Sequence, residues 1–91
     1  RRFLRSQGFV ILDSNWRCPI GELDIVALSS RRLHVIEVKT RRIDLPRLFR
    51  PIEALHPDKC QTLAHLTEWY RRKHHRMLKR YGVTTCSIDV I

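Results

Sequence analysis

Glu22, Asp24, Glu37 and Lys39 stand inside two apolar runs, "GELDIVAL" from Gly21 and "LHVIEVKT" from Leu33, where strands ordinarily carry valine or threonine. A symmetric turn centred between Ser30 and Arg31 pairs Ser29 with Arg32 and Leu28 with Leu33. The same register then sets Asp24 opposite Glu37 and Glu22 opposite Lys39. Side chains alternate along a strand, so this register gathers the four polar residues on one face. Leu23, Ile25, Ala27, Ile36 and Val38 are left for the other. Opposed side chains have β-carbons about 5 Å apart, and two carboxylates at that separation repel each other. A divalent cation relieves the repulsion, because hard cations take oxygen ligands. A neighbouring lysine adds a second positive charge, suited to orienting water or steadying a phosphate. Acids, a lysine and a phosphate-attracting surface together point to metal-assisted phosphodiester hydrolysis. The competing reading is an ordinary exposed strand face, with Glu22 and Lys39 as a cross-strand ion pair.

The field around these residues is positive. Lysine and arginine total 18 against 9 acidic residues, a net charge of +9 on 91 residues. Such a balance attracts polyanions and makes nucleic acid the first partner to consider. "RRKHHRMLKR", from Arg71 to Arg80, is the densest basic run, and Arg71, Arg72 and Lys73 open it. Arg41, Arg42, Arg47 and Arg50 extend the basic character into a loop interrupted by Pro46 and Pro51. Cys18, Cys60 and Cys86 are odd in number and irregular in spacing, which argues against a disulfide framework and fits a reducing cytoplasm. No run approaches the roughly 20 apolar residues of a membrane helix, so no membrane partner is expected. The chain begins without methionine and is expected to be a fragment, truncated at one or both ends, of a single domain over residues 1–91.

The elements that must position the acids can be read in order. Arg1 to Gln7 reads as the tail of a helix stopped by Gly8. Phe9 to Trp16, Leu23 to Leu28 and Leu33 to Lys39 read as strands, and Arg41 to Pro51 as a loop. Asp58 is placed to cap one long helix from about Lys59 to Arg80, with Leu63, Leu66, Tyr70 and Met77 as its buried stripe and Gly82 as its stop. "VTTCSIDVI" closes as a strand. Three strands linked by short turns make a meander, and a crossover helix returns the last strand beside them. Trp16, Trp69 and Tyr70 read as core, and His34 as a structural residue on the face of Ile36. Lys59 and Gln61, at the helix start, are placed to approach the acids.

With "GELDIVAL", "HVIEVKTR" and the downstream Lys59 in view, the chain resembles the YraN-like uncharacterised family of the PD-(D/E)XK nuclease superfamily, with likeness to Holliday-junction resolvases. The likeness extends to "FLRSQGFVILDSNWR", "RPIEALHPDKCQTL" and "CSIDVI", and so covers nearly the whole chain. It implies a restriction-endonuclease-like α-β-β-β-α-β core with a mixed sheet. It implies Asp24, Glu37 and Lys39 as catalytic residues, with Asp24 and Glu37 holding Mg²⁺ or Mn²⁺ and with Glu22 in support. The implied activity is metal-dependent cleavage of DNA, with branched or flapped DNA as a candidate substrate and a homodimer as a candidate assembly. The alternatives are a non-catalytic nucleic-acid-binding module that keeps the fold, and a basic domain whose acids serve only as surface pairs. Relatives usually carry a further glutamate on their first helix, a position that would fall before Arg1 or is absent here.

Overall fold

The computed structural model describes residues 8–38, 50–51 and 57–90, with residues 50 and 51 described by their backbone. Strands β1 (Val10–Cys18), β2 (Gly21–Ser29) and β3 (Arg32–Glu37) are followed by a two-residue strand β4 (Arg50–Pro51). Helices α1 (Pro57–Lys73) and α2 (His75–Arg80) then lead to strand β5 (Thr85–Val90). The sheet order is β1-β2-β3-β5-β4. The meander is antiparallel, β5 runs parallel to β3, and β4 is antiparallel to β5. This is the mixed α/β arrangement expected for the core. The helix tail over residues 1–7 lies outside the described residues, as do Lys39 and most of the basic loop. The end of that loop departs from expectation, since Arg50 and Pro51 pair with Val90 and Asp89. Proline lacks an N–H donor and is tolerated on such an edge strand.

The β2–β3 hairpin has the register expected from the sequence, from Ser29↔Arg32 through Leu28↔Leu33 to Ile25↔Ile36. Its two turn residues, Ser30 and Arg31, have φ of 52° and 64°. Both lie in the left-handed region that a two-residue hairpin turn requires and that non-glycine residues resist. Arg31 is held there from both ends: its Nε donates to the Gly82 carbonyl at 3.1 Å, and its own carbonyl accepts from the Thr84 N–H at 3.0 Å. Gly82 has φ of 72°, and a β-carbon on it would come within 3.3 Å of Arg31 Nε. The glycine also ends α2, as expected: its N–H donates to the Lys79 carbonyl and the Val83 N–H to the Leu78 carbonyl, the paired bonds of a Schellman cap.

The single long helix of the sequence reading is two, interrupted at His74. The His74 ring stacks on Tyr70 with centroids 4.0 Å apart, and its Nδ1 lies 3.1 Å from the Tyr70 carbonyl. That carbonyl already accepts from the His74 backbone N–H at 2.9 Å. Side chain and backbone thus share one acceptor, and the helix is irregular there. Leu63, Leu66 and Tyr70 are buried as expected, but in α2 it is Leu78 that is buried while Met77 is only partly so. Trp16 packs against the core, whereas Trp69 remains 44% exposed, contrary to the core reading.

Two apolar clusters sandwich the sheet. On the helix side Leu23, Val26, Leu33 and Val35 meet Leu63, Leu66, Tyr70 and Leu78. On the other side Ile25, Ala27 and Ile36 are joined by Phe9, Ile11 and Val38. Four of the five residues expected on that second face are there, but Leu23 is on the helix side. Alternation slips beside Asp24 because Asn15, on β1 between the pairs Ser14↔Ile25 and Trp16↔Leu23, is left-handed with φ of 53°. A residue in that conformation re-aims the strand, so Trp16 and Leu23 both turn toward α1. Tyr70 fastens the same corner: its hydroxyl donates to Asp13 Oδ2 at 2.8 Å, and its ring meets Trp16 edge-on at 5.1 Å.

Candidate functional site

Asp24 and Glu37 occupy the next positions after the last pair of the β2–β3 ladder, Ile25↔Ile36. Counting by two from Val35 places Glu37 on the helix-covered side of the sheet, where Lys59 meets it, while Asp24 sits at the slip in alternation and is placed by its bond to Val38. β3 ends at Glu37, and the next N–H, of Val38, donates to Asp24 Oδ2 at 2.9 Å instead of continuing the ladder; the expected end of the strand at Lys39 lies outside the described residues. A carboxylate has replaced a backbone carbonyl as acceptor. Glu37 is half-buried, with a side chain 14% exposed, and its Oε2 lies 3.1 Å from Lys59 Nζ. Lys59 reaches it from the first turn of α1, where the helix dipole also favours a nearby anion. The opposing edge of β3 is closed by β5, where Glu37 pairs with Val90.

The remaining sequence-derived residues are distributed differently. Glu22 stands across from Arg17, with Oε1 at 3.9 Å from Nε, and the Arg17 side chain is 79% exposed. Because Leu23 turns toward α1, Glu22 turns the other way. It therefore does not share the helix-side face of Glu37, where the sequence reading placed it. Gln61 is exposed, about 200° around the helix axis from Lys59, so the two side chains leave α1 in opposite directions. Arg71, Arg72 and Lys73 are exposed in the last turn of α1. Glu68 lies 3.3 Å from both Arg71 Nη1 and Arg72 Nε. Lys39, Arg41, Arg42 and Arg47 lie outside the described residues. Arg50 opens β4 opposite Val90, which places its backbone two strands from Glu37.

Two carboxylates suit a particular kind of ion. Among the described residues no three His, Cys, Asp or Glu side chains converge closely enough to hold a metal. Mg²⁺ and Mn²⁺ sites differ from closed protein cages: one or two carboxylates suffice when water and phosphate oxygens complete the shell. Asp24 and Glu37 fit that requirement and no closed zinc or calcium cage. Cys18, Cys60 and Cys86 are thiols in no disulfide. Burial pushes the Cys86 thiol above its ordinary pKa, which makes it a poor nucleophile.

Sequence reasoning did not find a polar cluster on the far side of the sheet. Ser87 Oγ lies 3.1 Å from His34 Nδ1 and donates to Asp89 Oδ2 at 3.2 Å. The parallel register Leu33↔Cys86 to Ile36↔Asp89 creates it, and nothing local in the sequence announces a parallel register. Phe9 meets the His34 ring edge-on at 4.7 Å. Burial lowers the His34 pKa, with Asp89 opposing the effect. His34 thus sits on the face of Ile36, as expected. The outer flank of α1 was also unforeseen: His65, Glu68, Trp69, Arg72 and Lys73 line an open groove of about 480 Å³.

With this geometry in view, comparison with known proteins is decisive for the family. The family model described as "Uncharacterised protein family UPF0102" matches residues 1–91. The chain belongs to that family. A UPF0102 protein of Paenarthrobacter aurescens (strain TC1) is 40% identical over 87 residues, covering 94% of this chain and 69% of the relative. One from Syntrophotalea carbinolica is 42% identical over 83 residues, 89% of this chain and 66% of the relative. One from Caldicellulosiruptor saccharolyticus is 33% identical over 90 residues, 97% of this chain and 75% of the relative. UPF0102 relatives of Renibacterium salmoninarum and Pseudarthrobacter chlorophenolicus are matched over only 59% and 61% of their length. No helix among the described residues is long and apolar enough to cross a membrane.

Proposed function

We propose that this UPF0102 domain is a PD-(D/E)XK-type nuclease that hydrolyses DNA phosphodiester bonds with Mg²⁺ or Mn²⁺. The observation that carries the reading is that Asp24 and Glu37 hold the facing positions next after the last β2–β3 pair, with Lys59 Nζ on Glu37. Strand ends of this kind hold ligands on a rigid sheet while leaving room for substrate. Asp24 and Glu37 would hold the ion. When bound, it lowers the pKa of its water and draws charge from a phosphate oxygen. The Val38 N–H fixes Asp24 so that its carboxylate does not have to reorganise. Lys39, two residues beyond Glu37, supplies the cation that orients the attacking water or steadies the phosphorane. In the step itself a water oxygen bonds to phosphorus, one bridging P–O bond breaks, and the leaving oxygen takes up a proton.

Arg71, Arg72 and Lys73, with Trp69 exposed beside them, give α1 a surface suited to tracking phosphates. The basic residues of the loop, Arg41, Arg42, Arg47 and Arg50, extend that role in this reading. Branched or flapped DNA, a cytoplasmic location and a homodimer belong to the same proposal. The second reading, a binding module without cleavage, is favoured by Lys59 standing on Glu37, since an ion pair alone would also hold the two elements together.

The test uses the full-length protein with linear, flapped and four-way DNA in Mg²⁺ or Mn²⁺. Cleavage that disappears in Lys39→Ala and Glu37→Gln, with binding retained, supports the nuclease. Binding of all three substrates without cutting replaces it with the binding module. Absence of binding at low salt removes both and leaves a basic surface for a protein partner.

A further inference from the structure

We infer that Lys59 is a built-in counter-cation that competes with the divalent ion for Glu37 and, once displaced, passes to the substrate phosphate. The inference rests on the nuclease reading and adds a control step to it. Lys59 Nζ is 3.1 Å from Glu37 Oε2, close enough for a charge-assisted hydrogen bond. The same oxygen is among those a metal would use, and an ammonium at that distance repels an incoming divalent charge. Asp24 Oδ2 is also engaged, by the Val38 N–H. One oxygen of each carboxylate therefore has a partner before any ion arrives.

The two partners differ in how they can respond. The Val38 N–H is fixed in the backbone. Lys59 stands on the first turn of a 17-residue helix, and its side chain is 47% exposed. Its four-carbon stem lets the head move several ångströms without moving the helix. Glu37 has no such freedom: its side chain is 14% exposed and its strand is held by β2 and β5. When an ion takes the carboxylate where it stands, the lysine is the group that must leave. The charge newly required near the site is then that of a phosphate, which is what a released ammonium at the rim binds. The ion pair thus keeps two carboxylates compatible in the metal-free state and couples metal arrival to substrate grip.

The experiment measures Mn²⁺ binding to the full-length protein by the loss of the free-ion paramagnetic resonance signal. Lys59→Gln and Lys59→Met are both used, so that one poorly folding variant does not decide the outcome. Lys59→Gln is expected to tighten Mn²⁺ about two- to fivefold, the range for removing a partly exposed ionic competitor. Lys59→Arg should remain near wild type, and Lys79→Gln, an exposed charge removed at the far end of the helical segment, should change the Kd by less than about 1.5-fold. A second arm measures oligonucleotide affinity with and without Ca²⁺. Lys59→Gln should weaken affinity more when the ion is present. Unchanged or weaker Mn²⁺ binding in both Lys59 variants, while Asp24→Asn abolishes it, overturns the competition and leaves the nuclease reading intact. Equal loss of DNA affinity with and without Ca²⁺ overturns the hand-over to phosphate. No Mn²⁺ binding in wild type or in any variant removes this inference and the metal-dependent reading together.

Discussion

Asp24 has two separable jobs, and a pair of substitutions distinguishes them. Its Oδ2 accepts the Val38 N–H at 2.9 Å in a partly buried setting. Asp24→Asn keeps a side-chain oxygen for that bond and removes only the charge. Asp24→Ala removes the acceptor, leaving a partly buried N–H with poorer access to water. A stranded donor of this kind costs about 1–3 kcal/mol. In metal-free buffer, Asp24→Asn should therefore unfold within about 0.5 kcal/mol of wild type, while Asp24→Ala unfolds earlier by about 1–3 kcal/mol. Metal reverses the similarity between wild type and Asn. With free Mn²⁺ at about ten times the Kd, native-state binding adds about 1.4 kcal/mol. For a domain of this size that raises Tm by roughly 6–11 °C. Asp24→Asn, with one anionic ligand fewer, should gain little at the same concentration. Thermal unfolding followed by circular dichroism over a Mn²⁺ series measures all three proteins. Equal Mn²⁺ stabilisation of wild type and Asp24→Asn would refute the assignment. An unaltered Asp24→Ala would refute the structural half.

Three further outcomes follow from the packing and charge. Leu66 is 2% exposed in the helix-side core, and Leu66→Ala should cost about 2–5 kcal/mol in urea unfolding. Burial holds the folded-state pKa of His34 below its ordinary 6.5, so the unfolded state binds more protons as pH falls. The stability this residue contributes is complete above pH 6.5 and lost on acidification below it, and His34→Gln should flatten that part of a stability–pH profile. Arg71→Ala with Arg72→Ala should weaken DNA binding across sequences and lower the slope of log affinity against log salt by about 1 to 2, nearer 1 because Glu68 already engages both.

Much of this geometry was legible in the residues because its determinants are local. The hairpin register follows from turn symmetry and apolar pairing, and the stripe Leu63, Leu66, Tyr70 from helical spacing. Gly82 as a helix stop follows from the left-handed conformation that glycine adopts without penalty. The meander of the first three strands followed from chain connectivity, as did the return of the last strand to the sheet. What escaped the sequence depends on contacts between distant segments. Asn15, in a left-handed conformation within a strand, breaks the alternation at Leu23 and thereby turns Glu22 away from Glu37. His74 interrupts the helix because its ring finds Tyr70, and Tyr70 is itself fixed by Asp13 from β1. β3 ends where a side-chain oxygen takes the next backbone donor, a choice that strand propensity does not encode.

The central claim is that Asp24 and Glu37 together bind the ion that DNA cleavage requires. It is tested most directly by anomalous diffraction from crystals of the full-length protein soaked in Mn²⁺ above its Kd. The account expects one peak joined to a carboxylate oxygen of Asp24 and one of Glu37 at about 2.1 Å, the distance for a small hard cation, with Lys59 Nζ moved off Glu37. A crystal with no peak there, or with Mn²⁺ held elsewhere while Lys59 keeps its 3.1 Å contact, would contradict it.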